Sequence, residues 1–280
     1  MHYTTLISAA DLARHLNDPR WIVCDCRHDL VDVDLGRRAY SEAHVPGARF
    51  LHLDDDLSGP RTGRNGRHPL PDAQALAIRL GELGIGNETQ VVAYDASGGC
   101  YAARLWWLLR WLGHAHVAVL DGGWQAWVQG GHATTAVRPE PRPAHFAPRV
   151  QVQLSVDAPF VLTHLDSTEA CVLDARSPDR FRGENETLDP VGGHIPGALN
   201  RFFRANLDAD GRFKTADVLR QELQEALGMR APAQVIHQCG SGVTACHNLL
   251  AMEHAGLTGS RLYPGSWSEW VSDPARPVAR

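Results

Sequence analysis

The chain has no apolar run long enough to cross a membrane as a helix. Its most apolar window, LWWLLRWLG from Leu105 to Gly113, is short and is broken by Arg110. The N-terminal segment MHYTTLISAADLARHL also lacks the basic start and the continuous apolar core of a secretory signal. These absences predict a protein with no membrane partner and a cytoplasmic location.

An excess of basic residues is missing too, since 27 Lys and Arg face 32 Asp and Glu for a formal net charge of −5. This charge argues against a nucleic-acid partner. Six cysteines among 280 residues do not suggest a disulfide scaffold. Cys24 and Cys26 have no second ligand pair at zinc spacing. We therefore expect reduced thiols, no metal and no cofactor.

An internal duplication with a period of about 145 residues dominates the sequence. The segments that pair are CDCR (24–27) with LDAR (173–176), AHVPGA (43–48) with GHIPGA (193–198), and LDGGWQAW (120–127) with YPGSWSEW (263–270). A period this long indicates two copies of one domain rather than a solenoid repeat. Between the copies, four prolines in RPEPRPAHFAPRV favour an extended linker. We predict domains at 1–137 and 151–280, joined by a linker at 138–150.

Short apolar runs alternate with longer helical patterns in both copies. The runs that indicate buried strands are WIVCD, QVVAYD and HVAVLD in the first copy, and CVLDA, QVIHQC and SRLYPG in the second. Helical patterns such as DAQALAIRLGELG and TADVLRQELQEALG each end near a C-cap glycine, Gly84 and Gly228. This alternation predicts the α/β class, with a mainly parallel sheet flanked by helices in each domain.

The two copies act as internal controls for each other. Residues kept in both serve the shared architecture by the simplest interpretation, and they include Asp25 with Asp174, Arg27 with Arg176, His44 with His194, and Trp124 with Trp267. One position breaks the symmetry: Cys239 stands where the first copy has Asp95. The loop also differs in length, because Asp95–Gly113 is one residue longer than Cys239–Gly256. The second copy is therefore the candidate for catalysis.

Cys239 follows a predicted strand and opens the sequence CGSGVTA. Gly240, Ser241 and Gly242 allow the backbone N–H groups to curl toward the sulfur, and a helix predicted from about Val243 adds the positive end of its dipole. Both effects favour a nucleophilic thiolate and would also stabilise a persulfide. A cysteine phosphatase is a poor alternative, since no basic residue occurs between Cys239 and His247 to neutralise a phosphate. The other five cysteines have apolar or small neighbours and are interpreted as packed core residues.

With these features the chain resembles the two-domain rhodanese family, and its CGSGVTA loop is similar to that of the 3-mercaptopyruvate sulfurtransferases. The resemblance covers nearly the whole chain and implies two tandem rhodanese-like domains, of which the first is inactive because Asp95 replaces the nucleophile. It implies a Cys239 persulfide that takes sulfur from a small anionic donor and passes it to cyanide or to a thiol such as thioredoxin. A monomer is expected.

The resemblance also implies site residues. Cys239 carries the sulfur, Arg180 binds the donor anion, and the loop residues Gly240, Ser241, Gly242, Val243 and Thr244 contact the donor. From the first copy, Asp54 and His68 match accessory positions, and His68 is a candidate proton donor.

The donor is open between 3-mercaptopyruvate and thiosulfate. Rhodaneses that prefer thiosulfate resemble one another in having basic residues directly after the cysteine, whereas this loop is neutral and suits a singly charged keto acid. The related mercaptopyruvate enzymes tend to have a second arginine after Arg180, but the interval ENETLDPVG has none. Arg61, Arg64 or Arg67 is a candidate substitute. A different alternative is a sulfur relay that hands the persulfide to a protein partner.

Overall fold

The computed structural model describes residues 2–165 and 167–280. Within these residues the chain divides into two compact units. The first comprises the described residues of 1–59, 71–151 and 209–212, and the second those of 60–70, 152–208 and 213–280. Segment 60–70 lies in the first sequence copy but packs with the second unit.

The first unit is built on a parallel sheet, as the apolar runs predict. Its strands are β1 (Leu6–Ile7), β2 (Trp21–Asp25), β3 (Arg49–Phe50), β4 (Gln90–Tyr94) and β5 (Val117–Leu120). Their order is β1-β5-β4-β2-β3 and every pairing is parallel. The helices around it are α1 (Ala9–His15), α2 (Leu35–Glu42), α3 (Ala73–Glu82), α4 (Ala102–Trp111) and α5 (Gly123–Gln129). Side chains from β2, β4 and β5 form the core with Leu12, Tyr40 and Trp127.

The second unit repeats this plan with a smaller sheet. Its strands are β6 (Cys171–Asp174), β7 (Leu199–Asn200), β8 (Val235–Gln238) and β9 (Arg261–Leu262), in the parallel order β7-β6-β8-β9. A single parallel bridge between Ser155 and Leu262 stands where the first unit has β1 beside β5. The helices are α6 (Ala158–Thr163), α7 (Pro178–Phe181), α8 (Ala216–Leu227), α9 (Ala245–His254) and α10 (Ser266–Trp270). The predicted α/β class with parallel sheets is confirmed.

Local sequence explains where the two longest predicted helical patterns begin and end. The Asp72 side chain accepts a hydrogen bond from the Ala75 N–H at the start of α3, and Thr215 caps α8 in the same way. Beyond their last turns, Gly84 and Gly228 have positive φ angles, which favour glycine. The proline-rich segment 138–150 has neither helix nor strand and is tied to the first unit by hydrogen bonds such as Ala144 N–H to Gly81 O, 2.9 Å.

No helix among the described residues is long and apolar enough to span a membrane.

Candidate functional site

The loop that contains Cys239 starts at the carboxyl end of β8, where parallel sheets place their ligand sites. The first residues of α10 hold the loop, because the Trp267 N–H donates to the Cys239 carbonyl at 3.0 Å and the Ser268 N–H donates to the Gly240 carbonyl at 2.9 Å. At its other end the loop runs into α9 through Val243 and Thr244. The backbone on both sides of the thiol is therefore fixed by main-chain hydrogen bonds.

Two backbone N–H groups of the loop point at the Cys239 sulfur. The Gly242 N–H lies 3.1 Å from Sγ and the Ser241 N–H lies 3.5 Å from it. Gly242 has φ +78°, and a Cβ atom there would lie 2.2 Å from the carbonyl oxygen of Pro264, so only glycine fits. Two backbone donors therefore converge on the Cys239 sulfur.

The equivalent loop of the first unit shows how such a backbone holds an anion. One carboxylate oxygen of Asp95 accepts from the Ser97 and Gly99 N–H groups at 2.7 and 2.9 Å. The other accepts from the Tyr101 and Ala102 N–H groups at 2.7 and 2.9 Å. Burial raises the pKa of Asp95, while these four hydrogen bonds oppose the rise. The first loop is a cradle of N–H donors that its own side chain fills.

Ser266 supports Cys239 from behind, and sequence reasoning missed it. Its hydroxyl accepts from the Cys239 N–H at 3.1 Å and donates to the Tyr263 carbonyl at 2.9 Å. Its φ is +53°, the one positive φ of a non-glycine residue among those described. In the first copy Gly123 occupies this position with φ +55°. The serine is therefore strained where the duplicate uses glycine, and its hydroxyl fixes the backbone of Cys239.

We expect Ser266→Ala and Ser266→Gly to reduce the rate of the reaction expected at Cys239 by a similar factor, about tenfold, because both leave the buried Cys239 N–H without its acceptor. Stability should separate the two variants. Alanine keeps the unfavourable φ, whereas glycine relieves it, so Ser266→Gly should be the more stable by about 1 kcal/mol. Steady-state kinetics and thermal unfolding of both variants measure this. Full activity in Ser266→Gly would remove the positioning role.

Three arginines and three carboxylates of the second unit form an ion-pair cluster beside the loop: Arg67, Arg176, Arg180, Asp174, Glu186 and Asp189. Arg180 donates to Glu186 at 2.8 Å and lies 3.5 Å from Asp189. A Cβ atom added to Gly240 would lie 3.4 Å from Nη2 of Arg180 and 2.8 Å from Nη2 of Arg67. Both guanidinium groups therefore converge on the residue that follows Cys239.

The carboxylates of this cluster are buried while two of its arginines are partly open. The side chains of Glu186 and Asp189 are each 3% exposed, against 21% for Arg180 and 25% for Arg67. Burial opposes ionisation of Glu186, but hydrogen bonds from Arg180 and two backbone N–H groups outweigh it and lower its pKa. For Asp189 burial prevails and raises the pKa, against the pull of Arg67. The acids orient the guanidinium groups from the protein side.

Of the two accessory candidates, the structure places His68 at the loop: its Nδ1 lies 2.7 Å from the Ser241 hydroxyl. Asp54 belongs to the first unit, where one of its carboxylate oxygens lies within 4.8 Å of ring nitrogens of His28 and His52. Protein groups already engage both nitrogens of His52, since Nε2 bonds Val33 O at 2.9 Å and Nδ1 accepts from the Asp54 N–H at 3.2 Å. We assign no metal to this group. The role of Asp54 stays a prediction.

The duplicated Asp-x-Arg pairs have the same geometry in both units. Arg27 binds Asp25 at 2.6 Å, and Arg176 binds Asp174 at 2.7 Å, with all four side chains buried. Each guanidinium also stacks on the duplicated tryptophan, 4.5 Å from the Trp124 ring and 4.7 Å from that of Trp267. These contacts fit the architectural role expected of residues kept in both copies.

The remaining cysteines lie in the core. All six cysteines are buried, and none forms a disulfide. Burial raises the pKa of Cys24 to about 12, and it also raises the pKa of Cys26 and that of Cys171. Thiols of this kind are poor nucleophiles at neutral pH. A surface cleft of about 610 Å³ beside Cys171 opens at the start of β6 and β8, away from the carboxyl end that carries Cys239.

Comparisons with known proteins agree with this architecture. The model of the rhodanese-like domain matches residues 8–130 and 158–273. A protein from Pseudomonas aeruginosa named "Probable 3-mercaptopyruvate sulfurtransferase" is 47% identical, covering 100% of this chain and 99% of the relative. A mouse thiosulfate sulfurtransferase is 35% identical, over 96% of this chain and 92% of its own length.

Among solved structures, a 3-mercaptopyruvate sulfurtransferase from Leishmania major superposes with a TM-score of 0.86 at 31% identity. The superposition covers 98% of this chain and 75% of that one. Since the family model accounts for most of both sequence copies, and the full-length relatives are sulfurtransferases, the chain belongs to the rhodanese family of sulfurtransferases.

Proposed function

We propose that this sulfurtransferase takes the sulfur atom of 3-mercaptopyruvate onto Cys239 as a persulfide and passes it to a thiol or to cyanide. The observation that carries the proposal is the loop itself. Backbone N–H groups converge on the Cys239 sulfur, and the duplicate loop holds a carboxylate with four such groups. A cradle that suits a carboxylate also suits the anionic outer sulfur of a persulfide.

The proposed first step breaks the carbon–sulfur bond of the donor. The Cys239 thiolate attacks the donor sulfur, a sulfur–sulfur bond forms, and the carbon leaves with the electron pair as the enolate of pyruvate. A proton then converts the enolate to pyruvate. In the net reaction this proton comes from the thiol group of the donor. In the second step the acceptor nucleophile attacks the outer sulfur and regenerates the thiolate. No external oxidant or reductant is required.

Side chains around the loop support this sequence of steps. Charge develops on the keto oxygen of the donor as the enolate forms, and the Ser241 hydroxyl belongs to the loop that would face it. His68 lies 2.7 Å from that hydroxyl and is therefore the nearest candidate for moving a proton to or from it. Arg180 would bind the donor carboxylate, for which its partly exposed guanidinium is suited.

The charge balance of the site favours a singly charged donor over thiosulfate. Three guanidinium groups face three carboxylates in the ion-pair cluster, so the cluster has no excess positive charge for a dianion. The loop residues after Cys239 are neutral as well. Thiosulfate is the second candidate, because the mouse relative is named for that donor.

A reduced compartment fits this chemistry. A persulfide carrier needs a thiol that is not held in a disulfide, and none of the six cysteines forms one. The proposal therefore includes a cytoplasmic location and a thiol acceptor such as thioredoxin.

The test compares kcat/KM for 3-mercaptopyruvate and for thiosulfate at fixed cyanide, with Cys239→Ser as the blank. We expect a preference of at least about tenfold for 3-mercaptopyruvate, which corresponds to the loss of one charge-assisted contact by the other donor. A preference for thiosulfate would replace the proposed donor. Turnover that is negligible with both donors when cyanide is the acceptor, but rapid with a protein thiol, would favour the sulfur relay instead.

A further inference from the structure

The second unit contains an arginine from segment 60–70 at the place where the donor anion is expected. Arg67 donates to Asp189 through Nη1, and its backbone N–H donates to the Ser268 hydroxyl at 3.0 Å. Ser268 in turn donates its own N–H to the carbonyl of Gly240. The main chain of Arg67 is thus held against α10, which itself bonds the Cys239 loop. Its side chain is held by the buried carboxylate of Asp189.

The free edge of the Arg67 guanidinium points toward the nucleophile's neighbour. Its Nη2 would lie 2.8 Å from a Cβ atom on Gly240, on the same side as the guanidinium of Arg180. Two guanidinium groups that converge on one point form a site for a carboxylate, which has two oxygens and accepts paired N–H donors. Gly240 provides the space for both groups, since any side chain there would meet them.

The charge arrangement of the two segments explains why the interval after Arg180 can lack an arginine. Asp189 lies in that interval, ENETLDPVG, and supplies a negative charge instead. Its partner Arg67 comes from GPRTGRNGRHPLP, so the cation stands on one segment and the anion on the other. If the two charges were exchanged, with an arginine at position 189 and an acid at position 67, the ion pair would be kept and the guanidinium would come from the other segment.

We propose that Arg67 is the second donor-binding arginine of this enzyme, that it binds the donor carboxylate together with Arg180, and that Asp189 is the residue that positions it. This inference rests on the proposed function, in which the donor is 3-mercaptopyruvate. It selects Arg67 rather than Arg61 or Arg64 because the Arg67 guanidinium both bonds Asp189 and reaches the space beside Gly240. Arg64 differs in that its segment contact is made by its carbonyl, which accepts from Ser272 at 3.3 Å.

Kinetics of the two half-reactions test the assignment. Arg67→Met removes the charge and keeps much of the side-chain volume, so we expect KM for 3-mercaptopyruvate to rise by about 10–100-fold. The rate at which preformed persulfide reacts with cyanide should stay within about twofold, because the donor has already left. Arg67→Lys should recover part of the loss. Arg64→Met, with the same change of charge in the same segment, is the matched control and should leave KM unchanged.

A charge swap distinguishes binding from mere structural support. Arg67→Asp and Asp189→Arg should each raise KM strongly, since each leaves a buried like-charge contact. The double variant restores the pair with the cation on the other segment, and we expect its KM to return to within about fivefold of the original protein. Thermal unfolding of each variant identifies any that have lost the fold.

Three outcomes would overturn the inference: an unchanged KM in Arg67→Met, an equal loss in both half-reactions, or a double variant no better than the single ones. The proposed function is judged separately by mass spectrometry. If the original protein gains one sulfur atom on Cys239 from saturating 3-mercaptopyruvate, the function stands even when Arg67 proves irrelevant. If it gains none, the function fails first.

Discussion

Replacing Cys239 by serine is expected to abolish sulfur transfer, by about 10³-fold or more with either donor, while the fold is kept. The hydroxyl is nearly the same size as the thiol and still accepts the N–H groups of Ser241 and Gly242. It has neither the nucleophilicity of a thiolate nor the ability to hold a sulfane sulfur. Loss of a nucleophile has effects of this order in other covalent enzymes. Initial rates and intact-protein mass after donor treatment are the two measurements.

Cys171→Ser serves as the control for the loss of a thiol. This cysteine is buried at the start of β6, and burial raises the pKa of its thiol. The variant should therefore keep full activity and still gain one sulfur atom on Cys239. If Cys239→Ser retained a tenth of the original rate, or gained sulfur, the persulfide would have to form on another residue and the proposed mechanism would be wrong.

Of the glycine-to-alanine substitutions in the loop, Gly242→Ala is expected to be the most destabilising, lowering the free energy of unfolding by about 3 kcal/mol or more. Two costs add. The φ of +78° is unfavourable for alanine by about 1–2 kcal/mol. The new Cβ would also lie 2.2 Å from the main-chain oxygen of Pro264, so the backbone must move, at a cost of about 1–3 kcal/mol. Activity should fall with it, because the Gly242 N–H is a donor to the sulfur.

Gly197→Ala in the same unit isolates the first cost. Its φ is +76°, and the nearest atom to its added Cβ is the Leu165 oxygen at an ordinary 3.4 Å. We expect it to lose only about 1–2 kcal/mol and to keep its activity. Denaturant unfolding of both variants gives the comparison. Equal losses would mean that the loop relaxes around Pro264, and that close packing does not fix the cradle.

Local sequence rules were sufficient for the central strands of both sheets and for choosing a candidate nucleophile. The apolar runs located β2, β4, β5, β6 and β8, because strands buried on both faces read as continuous apolar segments. Comparison of the two copies identified Cys239 and Asp95 as the position where they diverge. Both inferences need only residues that are close together in the sequence or aligned between repeats.

Contacts between distant segments could not be predicted in the same way. The sequence left Arg61, Arg64 and Arg67 as equal candidates, and only the packing of segment 60–70 with the second unit places Arg67 beside Gly240. Glu186 and Asp189 have no periodicity that marks them as partners of Arg180. Ser266 did carry a usable signal, since a serine at the aligned position of Gly123 must tolerate a positive φ.

Because Asp95 fills the first loop, the stability of the two units is expected to depend differently on the concentration of small molecules in the cell. Being covalently attached, the Asp95 carboxylate saturates the first loop at any solute concentration, so this loop is a permanently liganded site with no ligand to lose. In the proposed mechanism the second loop carries either a bare thiol or a loaded sulfur, and we expect its stability to vary with the fraction that is loaded. On this mechanism the stability of the first unit is set at synthesis, whereas that of the second unit is expected to follow the supply of donor.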